Sequence, residues 1–344
     1  MYRYRFALTV VLLLCIVPFL FSAGSGETEA AGDRRLLVYT YDSFVAEWGP
    51  AGKITEGFEE ETGIELTIQS AGDAEQVLSR VMLEADDPRA DVIIGIDNNM
   101  LAKALDADVL EPYEPKNLDK IPARFHFDKS YHIVPYDYGF FSIIYDSQKV
   151  ENPPASLEEL TAERFENKLI LMDPRTSSPG LGFLLWTIHR YGEEYTDYWR
   201  RLKPSLLTVT EGWDAGYGLF TNGEAPLVLS YTTSPAYHVE YEESSRYRAA
   251  GFEEGHYMQI EGMGIIKGTD NRTEAERFIE YMLDTEAQSV LPLTNWMFPV
   301  NPDVSLPESF EYALKPDNSF MIDAAAIDSK YEEWVRKWVE IVGK

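Results

Sequence analysis

Short apolar runs alternate, through the first third of this chain, with longer segments whose apolar positions return at helical spacing. Leu36–Thr40 (LLVYT) is compact and apolar, which predicts a strand left through the polar turn Tyr41-Asp42-Ser43. Residues 50–62 place Ile54 and Phe58 on one face and stop at Gly63, the pattern of a helix with a glycine terminator. Ile64–Gln69 alternates and predicts the second strand. Gly72-Asp73-Ala74-Glu75 then opens a helix expected to bury Val77, Leu78, Val81 and Met82. Asp91–Ile96 (DVIIGI) is a continuous apolar run of the kind covered on both faces, and Asp97-Asn98-Asn99 is expected to cap the next helix. Strands and helices in this alternation spell a βαβ sheet.

The pattern changes at 131–145, where YHIVPYDYGFFSIIY is long enough to pass between two lobes. Asn152-Pro153-Pro154 breaks the chain, and Ser156-Leu157-Glu158-Glu159 reads as a capping box opening a short helix. Lys168–Met172 is a further strand, leading through DPRTSSPG at 173–180 into a helix that runs to Tyr191. Leu206–Thr210 ends at Glu211-Gly212-Trp213, with a helix over 214–222. The apolar run Ala225–Leu229 predicts a buried strand whose exit is the polar stretch SYTTSPAY at 230–237. Tyr257–Lys267 is a second long strand able to cross back between lobes. After it come an amphipathic helix at 273–284, a Trp-bearing loop at 293–299, and a closing helix at 331–342 with Trp334, Trp338 and Val342 on one stripe. There is no internal repeat and no low-complexity linker. The expected class is α/β and bilobal, two α/β lobes joined by crossover strands with a cleft between them. The expected lobes are 34–134 plus 262–302, and 135–261 plus 303–344.

Composition narrows the partners. Lys and Arg number 30 against 58 Asp and Glu, a formal charge of −28. That balance argues against nucleic acid and anionic lipid, and is read either as colloidal solubility or as long-range attraction for a cationic ligand. At the N-terminus, Arg3 and Arg5 precede the apolar run Phe6–Phe21 and small residues at 22–25, the form of a signal peptide ending near residue 24. The apolar run is shorter than the roughly 20 residues of a spanning helix; an uncleaved anchor is the alternative. The one cysteine, Cys15, lies in that run, so the mature chain carries no thiol. Disulfides, zinc–thiolate sites and a cysteine nucleophile are thereby excluded from it.

In open α/β sheets, ligands sit at the carboxyl ends of strands. Five such exits hold the candidate chemistry: Tyr41-Asp42, Gly72-Asp73-Ala74, Thr176-Ser177-Ser178, Gly212-Trp213 and Tyr231-Thr232-Thr233-Ser234, with Tyr237 and Trp296 able to join them. Ser177 and Ser178 precede Pro179 at a helix start, where they are read either as an ordinary N-cap or as donors to an anion held by the helix dipole. Asp73 is read as an N-cap or as an acceptor for an amino group of a ligand. Tyr41, Trp213, Tyr231, Tyr237 and Trp296 are read as core anchors or as ring faces for a flat, cationic ligand. The five histidines show no HExxH or HxH spacing, and no GxSxG, P-loop or GxGxxG sequence is present. No catalytic residue and no metal site is expected.

Seven runs resemble one family: VYTYDSF at 38–44 with Trp48-Gly49-Pro50, ADVIIGIDNN at 90–99, PYDYGFF at 135–141, DPRTSSPGLG at 173–182, SYTTSPAYH at 230–238, EGHY at 254–257 and NWMFPV at 295–300. From Val38 to Trp338 the chain resembles the periplasmic thiamine-binding proteins of bacterial ABC importers. The resemblance implies a type II periplasmic-binding fold and a monomer that carries thiamine, thiamine monophosphate or thiamine diphosphate to membrane permease subunits, with no cofactor. It puts Asp73 and Ala74 at the aminopyrimidine, and Ser177 and Ser178 at the hydroxyethyl or phosphate end. Tyr41, Trp213, Tyr231, Thr232, Thr233, Ser234, Tyr237 and Trp296 then surround the rings. Ferric iron and a polyamine are the alternative ligands. A thiaminase-like enzyme on the same fold would need a cysteine that the mature chain lacks.

Overall fold

The computed structural model describes residues 34–343; the expected signal peptide lies outside the described residues. The strands are β1 (Arg35–Thr40), β2 (Glu65–Ser70), β3 (Val92–Asp97), β4 (Leu110–Glu111), β5 (Val134–Asp146) and β6 (Leu169–Met172). They continue with β7 (Leu206–Thr210), β8 (Leu227–Tyr231), β9 (Tyr247–Ala249), β10 (His256–Ile266), β11 (Phe298–Pro299) and β12 (Ser319–Phe320). The helices are α1 (Ala51–Thr62), α2 (Ala74–Leu83), α3 (Leu101–Asp106), α4 (Ser178–Tyr191) and α5 (Tyr195–Leu202). After these come α6 (Trp213–Thr221), α7 (Ser234–Glu242), α8 (Arg272–Leu283), α9 (Thr285–Val290) and α10 (Ala324–Val342).

The main strand order is β2-β1-β3-β10-β5-β8-β6-β7. At one end β1 pairs in parallel with β2 and β3; at the other β6 pairs in parallel with β7 and β8. The long strands β10 and β5 are antiparallel to each other and to β3 and β8 respectively, and join the two parallel halves. β5 changes partner midway: its first part, through Phe140, lies on β10, and from Phe141 onward it lies on β8. One core gathers buried residues from 36–136 and 260–300, a second from 141–257 and 327–338. The fold is thus bilobal, with two α/β lobes joined by crossover strands.

Local sequence explains the elements that frame the cleft. The apolar run of β3 is buried along its whole length, as a strand covered on both faces requires. Helix α1 buries Ile54 and Phe58, the latter edge-on to Phe278 and Tyr281, and stops at Gly63 with φ +65°. Helix α2 opens with a complete capping box from Asp73 and Gln76.

The structure corrects several expectations. Met82 is 40% exposed, because it lies at the solvent edge of the stripe Ala74, Val77, Leu78, Val81. Of Asp97-Asn98-Asn99 only Asp97 caps the following turn, its Oδ1 accepting from Asn99 N–H and Met100 N–H; Asn98 accepts from Ile260 N–H on β10 instead. The Ser156 turn is a short 3-10 segment with half a capping box: Ser156 accepts from Glu159 N–H, but Glu159 turns to Ala155 N–H. The polar stretch 230–237 is mostly regular: Ser230 and Tyr231 end β8, and α7 begins at Ser234, with Pro235 in its first turn as a helix start favours.

Candidate functional site

The strand exits of both halves converge on a cleft cavity of about 280 Å³. That is near the lower end of the roughly 300–1,000 Å³ typical of small-ligand pockets. Nine of the twelve sequence-predicted residues line it: Tyr41, Asp73, Ala74, Ser178, Trp213, Tyr231, Ser234, Tyr237 and Trp296. Ser177, Thr232 and Thr233 are fully buried and do not line it. Ser43, Trp48, Asp214, Tyr217, Glu242, Glu261, Asn295 and Met297 line it without having been singled out from the sequence.

The aromatic rings are held from behind. Trp213, the first residue of α6, donates its indole N–H to Ser230 Oγ at 2.8 Å and stacks on Tyr217 with ring centroids 4.8 Å apart. Trp48, from the loop after β1, meets Trp213 edge-on at 6.3 Å. Tyr237 on α7 stands perpendicular to Trp296 at 5.3 Å, and Trp296 lies parallel to Phe310 on its other side. Trp296 has φ +57°, a region that bulky residues rarely adopt. The turn is fixed by the N–H groups of Asn295 and Trp296, both donating to Leu291 O. Such strain persists where surroundings over-determine it, and it clusters at ligand sites.

Two helix starts share one design. α4 opens Ser178-Pro179 after Ser177, and α7 opens Ser234-Pro235 after Thr233. Neither N-cap residue makes a side-chain capping bond. The hydroxyls of Ser177, Ser178, Thr232 and Thr233 are all buried without a hydrogen bond of regular geometry. Ser177 approaches the Asp73 carboxyl; buried side-chain polar atoms usually find a partner, so the three remaining orphaned hydroxyls beside two positive helix ends are unusual. Ser234 differs, because its Oγ bonds Ser230 Oγ at 2.7 Å.

Asp73 is the N-cap of α2, its Oδ1 accepting from Ala74 N–H at 2.8 Å, and its carboxyl also lines the cavity beside Gly212. Burial pushes its pKa up to about 6, against the lowering effect of Ala74 N–H, the Ser177 hydroxyl and Trp213 N–H. Gly212 lets this carboxylate approach: a Cβ there would stand 2.9 Å from Asp73 Oδ2.

Tyr41 crosses from the end of β1 to the floor, where its hydroxyl donates to Glu261 Oε2 at 2.8 Å. Tyr231 donates to Gln259 Oε1 at 2.7 Å. Carboxylates on the lining are Asp73, Asp214, Glu242 and Glu261, and no Lys or Arg lines the cavity. Among the described residues, no group of three or more His, Cys, Asp or Glu is arranged to hold a metal ion. Trp48 and Asn295 sit inside runs that carried the family resemblance, so their signal was present. For Glu261 the available flag was a charge in the middle of a buried apolar strand.

Comparison with known proteins agrees with this geometry. The bacterial extracellular solute-binding protein family matches residues 87–330. The thiamine-binding periplasmic protein of Brucella melitensis is 40% identical over 333 residues, 95% of this chain and 98% of the relative. That of Salmonella typhimurium is 38% identical over 335 residues, 97% of this chain and 98% of the relative. A solved periplasmic thiamin binding protein superposes with a TM-score of 0.86 at 38% identity, covering 90% of this chain and 96% of the other. The chain belongs to the bacterial extracellular solute-binding proteins, and within them to the group of the periplasmic thiamine-binding proteins.

Proposed function

We propose that this chain is the extracytoplasmic substrate-binding subunit of an ABC importer, capturing thiamine in its cleft and delivering it to membrane permease subunits. The observation that carries the reading is a cavity walled by Trp48, Trp213, Tyr231, Tyr237 and Trp296 whose charged lining is carboxylate throughout. A flat organic cation with amino donors fits that chemistry: each cation–π contact contributes about 0.5–2 kcal/mol, and carboxylates accept from the aminopyrimidine. Nanomolar capture needs about −12 kcal/mol, so several such contacts and burial of both rings must act together. The protein works as a binding subunit and not as an enzyme, acts in the periplasm after removal of its signal peptide, and needs no cofactor. It binds as a monomer.

Ser178, on the cavity lining at the start of α4, supplies a donor for a hydroxyethyl or phosphate tail, and Ser177, Thr232 and Thr233, buried at the same two helix starts, add donors where the tail reaches past the lining; this extends the ligand range to thiamine monophosphate and diphosphate. Tryptophan-fluorescence titration with all three forms tests this. Replacing Ser177 and Ser178 together by Ala is expected to weaken the phosphorylated forms about tenfold more than thiamine, the scale of a lost charge-assisted hydrogen bond. Equal losses for all three forms would remove these serines from the phosphate role.

A further inference from the structure

Three carboxylates stand in a row beneath the cavity. Glu261 on β10 is the cross-strand partner of Asp97 on β3 and also of Asp137 on β5. Directly opposed residues share a face at about 5 Å, a placement that disfavours like charges. Asp97 and Asp137 are fully buried, and Glu261 is 7% exposed and lines the cavity. Among the described residues, the hydrogen bonds to the row all come from neutral donors. Glu261 accepts from Tyr41 and Tyr136, at 2.8 and 2.5 Å, and Asp97 accepts from Gln259 Nε2 at 2.9 Å. Asp137 accepts from Asn295 Nδ2 at 2.6 Å through Oδ2, and its Oδ1 has no partner. Among the described residues no Lys, Arg or His pairs with the row. Three buried negative charges without a cation are not tolerable together, so the row holds either protons or a positive ligand.

We propose that Glu261 is the anionic partner of the ligand's positive charge, a specificity-determining residue of this cleft, and that the row Asp97–Glu261–Asp137 releases a proton to solvent as the cation enters. The inference rests on the reading of the cleft as a site for thiamine, whose thiazolium ring carries a permanent charge. The titratable groups facing Glu261 are Tyr41 at the exit of β1, Asp73 at the start of α2, Asp97 on β3, Tyr136 and Asp137 on β5, and Tyr231 on β8. Burial raises all three phenols, so they stay neutral donors. Burial raises the carboxyls too: Asp97 to about 7, with Glu75 and Glu261 adding to it, and Asp137 further through Glu261. Glu261 is raised by burial against the Tyr136 and Tyr41 hydroxyls. The free row therefore keeps protons at neutral pH. A cation above Glu261 favours its ionised form, the proton leaves to water, and the ligand's charge is balanced in place. The sign follows: the free protein binds more protons than the complex, so affinity rises with pH while the raised carboxyls of the row lose their protons.

Calorimetric titration of the mature chain with thiamine, at about pH 5 to about pH 8 and in buffers of differing ionisation enthalpy, reads the released proton directly. Proton release near neutrality and binding about tenfold weaker per pH unit on acidification are expected for one proton exchanged. A second arm compares thiamine with a neutral thiophene isostere. The unaltered chain should prefer the cation by about tenfold or more, and Glu261→Gln should lose both that preference and the proton release. Asp137→Asn, which leaves the cavity lining unchanged, should reduce proton release while retaining the preference. Buffer-independent heats with pH-independent affinity, or equal losses of thiamine and isostere in Glu261→Gln, would overturn the inference while leaving thiamine binding intact. No binding of thiamine by the unaltered chain would instead overturn the functional reading on which it rests.

Discussion

At the scale of single residues, the cleft is built from side chains fixed before any ligand arrives. Trp213 shows this most clearly: Ser230 anchors its indole N–H, Tyr217 stacks on it, and the ring lines the cavity. Trp213→Ala should weaken thiamine and both phosphates alike by about 30-fold, the scale of one desolvated cation–π contact of roughly 2 kcal/mol. Trp213→Phe should recover part of the loss, and a thermal melt should show the fold retained. Unchanged affinity in the Ala variant would take Trp213 out of the binding wall. Trp213, Tyr231 and Tyr237 were legible in the sequence because each lies at or just beyond the end of an apolar run. Glu261 carried only the weaker flag of a charge inside an apolar run, because its place beside Asp97 and Asp137 is set by the register of strands far apart in the chain.

At the scale of elements, most strands and helices follow from local periodicity, and the departures have local causes. The long apolar runs of β5 and β10 announced a crossing between lobes, and both strands cross. What periodicity does not carry is backbone sign. Gly95, inside the apolar run of β3, has φ +102°, and a Cβ there would meet the Tyr41 ring at 2.4 Å. The glycine thus shapes both the strand and the floor of the cleft. Gly95→Ala should cost about 1–3 kcal/mol in urea unfolding and displace Tyr41 from Glu261, with weaker ligand binding. Gly52→Ala on α1, where a Cβ meets nothing within 4 Å, should instead be neutral or stabilise by up to about 1 kcal/mol. Equal stability of the two variants would contradict this placement of Gly95.

At the scale of the whole molecule, the lobes meet across the cleft through specific contacts. Asp73 reaches Trp213 N–H and the Ser177 hydroxyl, Gln76 Nε2 donates to Glu211 Oε1 at 3.0 Å, and Trp48 meets Trp213. Those contacts bridge the two cores across the cleft, and β5, by its change of partner, runs through both. A net charge of −28 adds long-range attraction for a cation, screened beyond about 10 Å at moderate salt. The sequence alone left iron and polyamine beside thiamine as ligands. The lining, flat aromatic walls with carboxylates at Asp73, Asp214, Glu242 and Glu261, suits an organic cation. Isothermal titration of the mature chain with thiamine, ferric citrate and spermidine decides between them. Saturable heat at one thiamine per chain, with an affinity on the order of nanomolar and no heat from the other two, is the predicted result. Heat with ferric ion or spermidine, and none with thiamine or its phosphates, would contradict it.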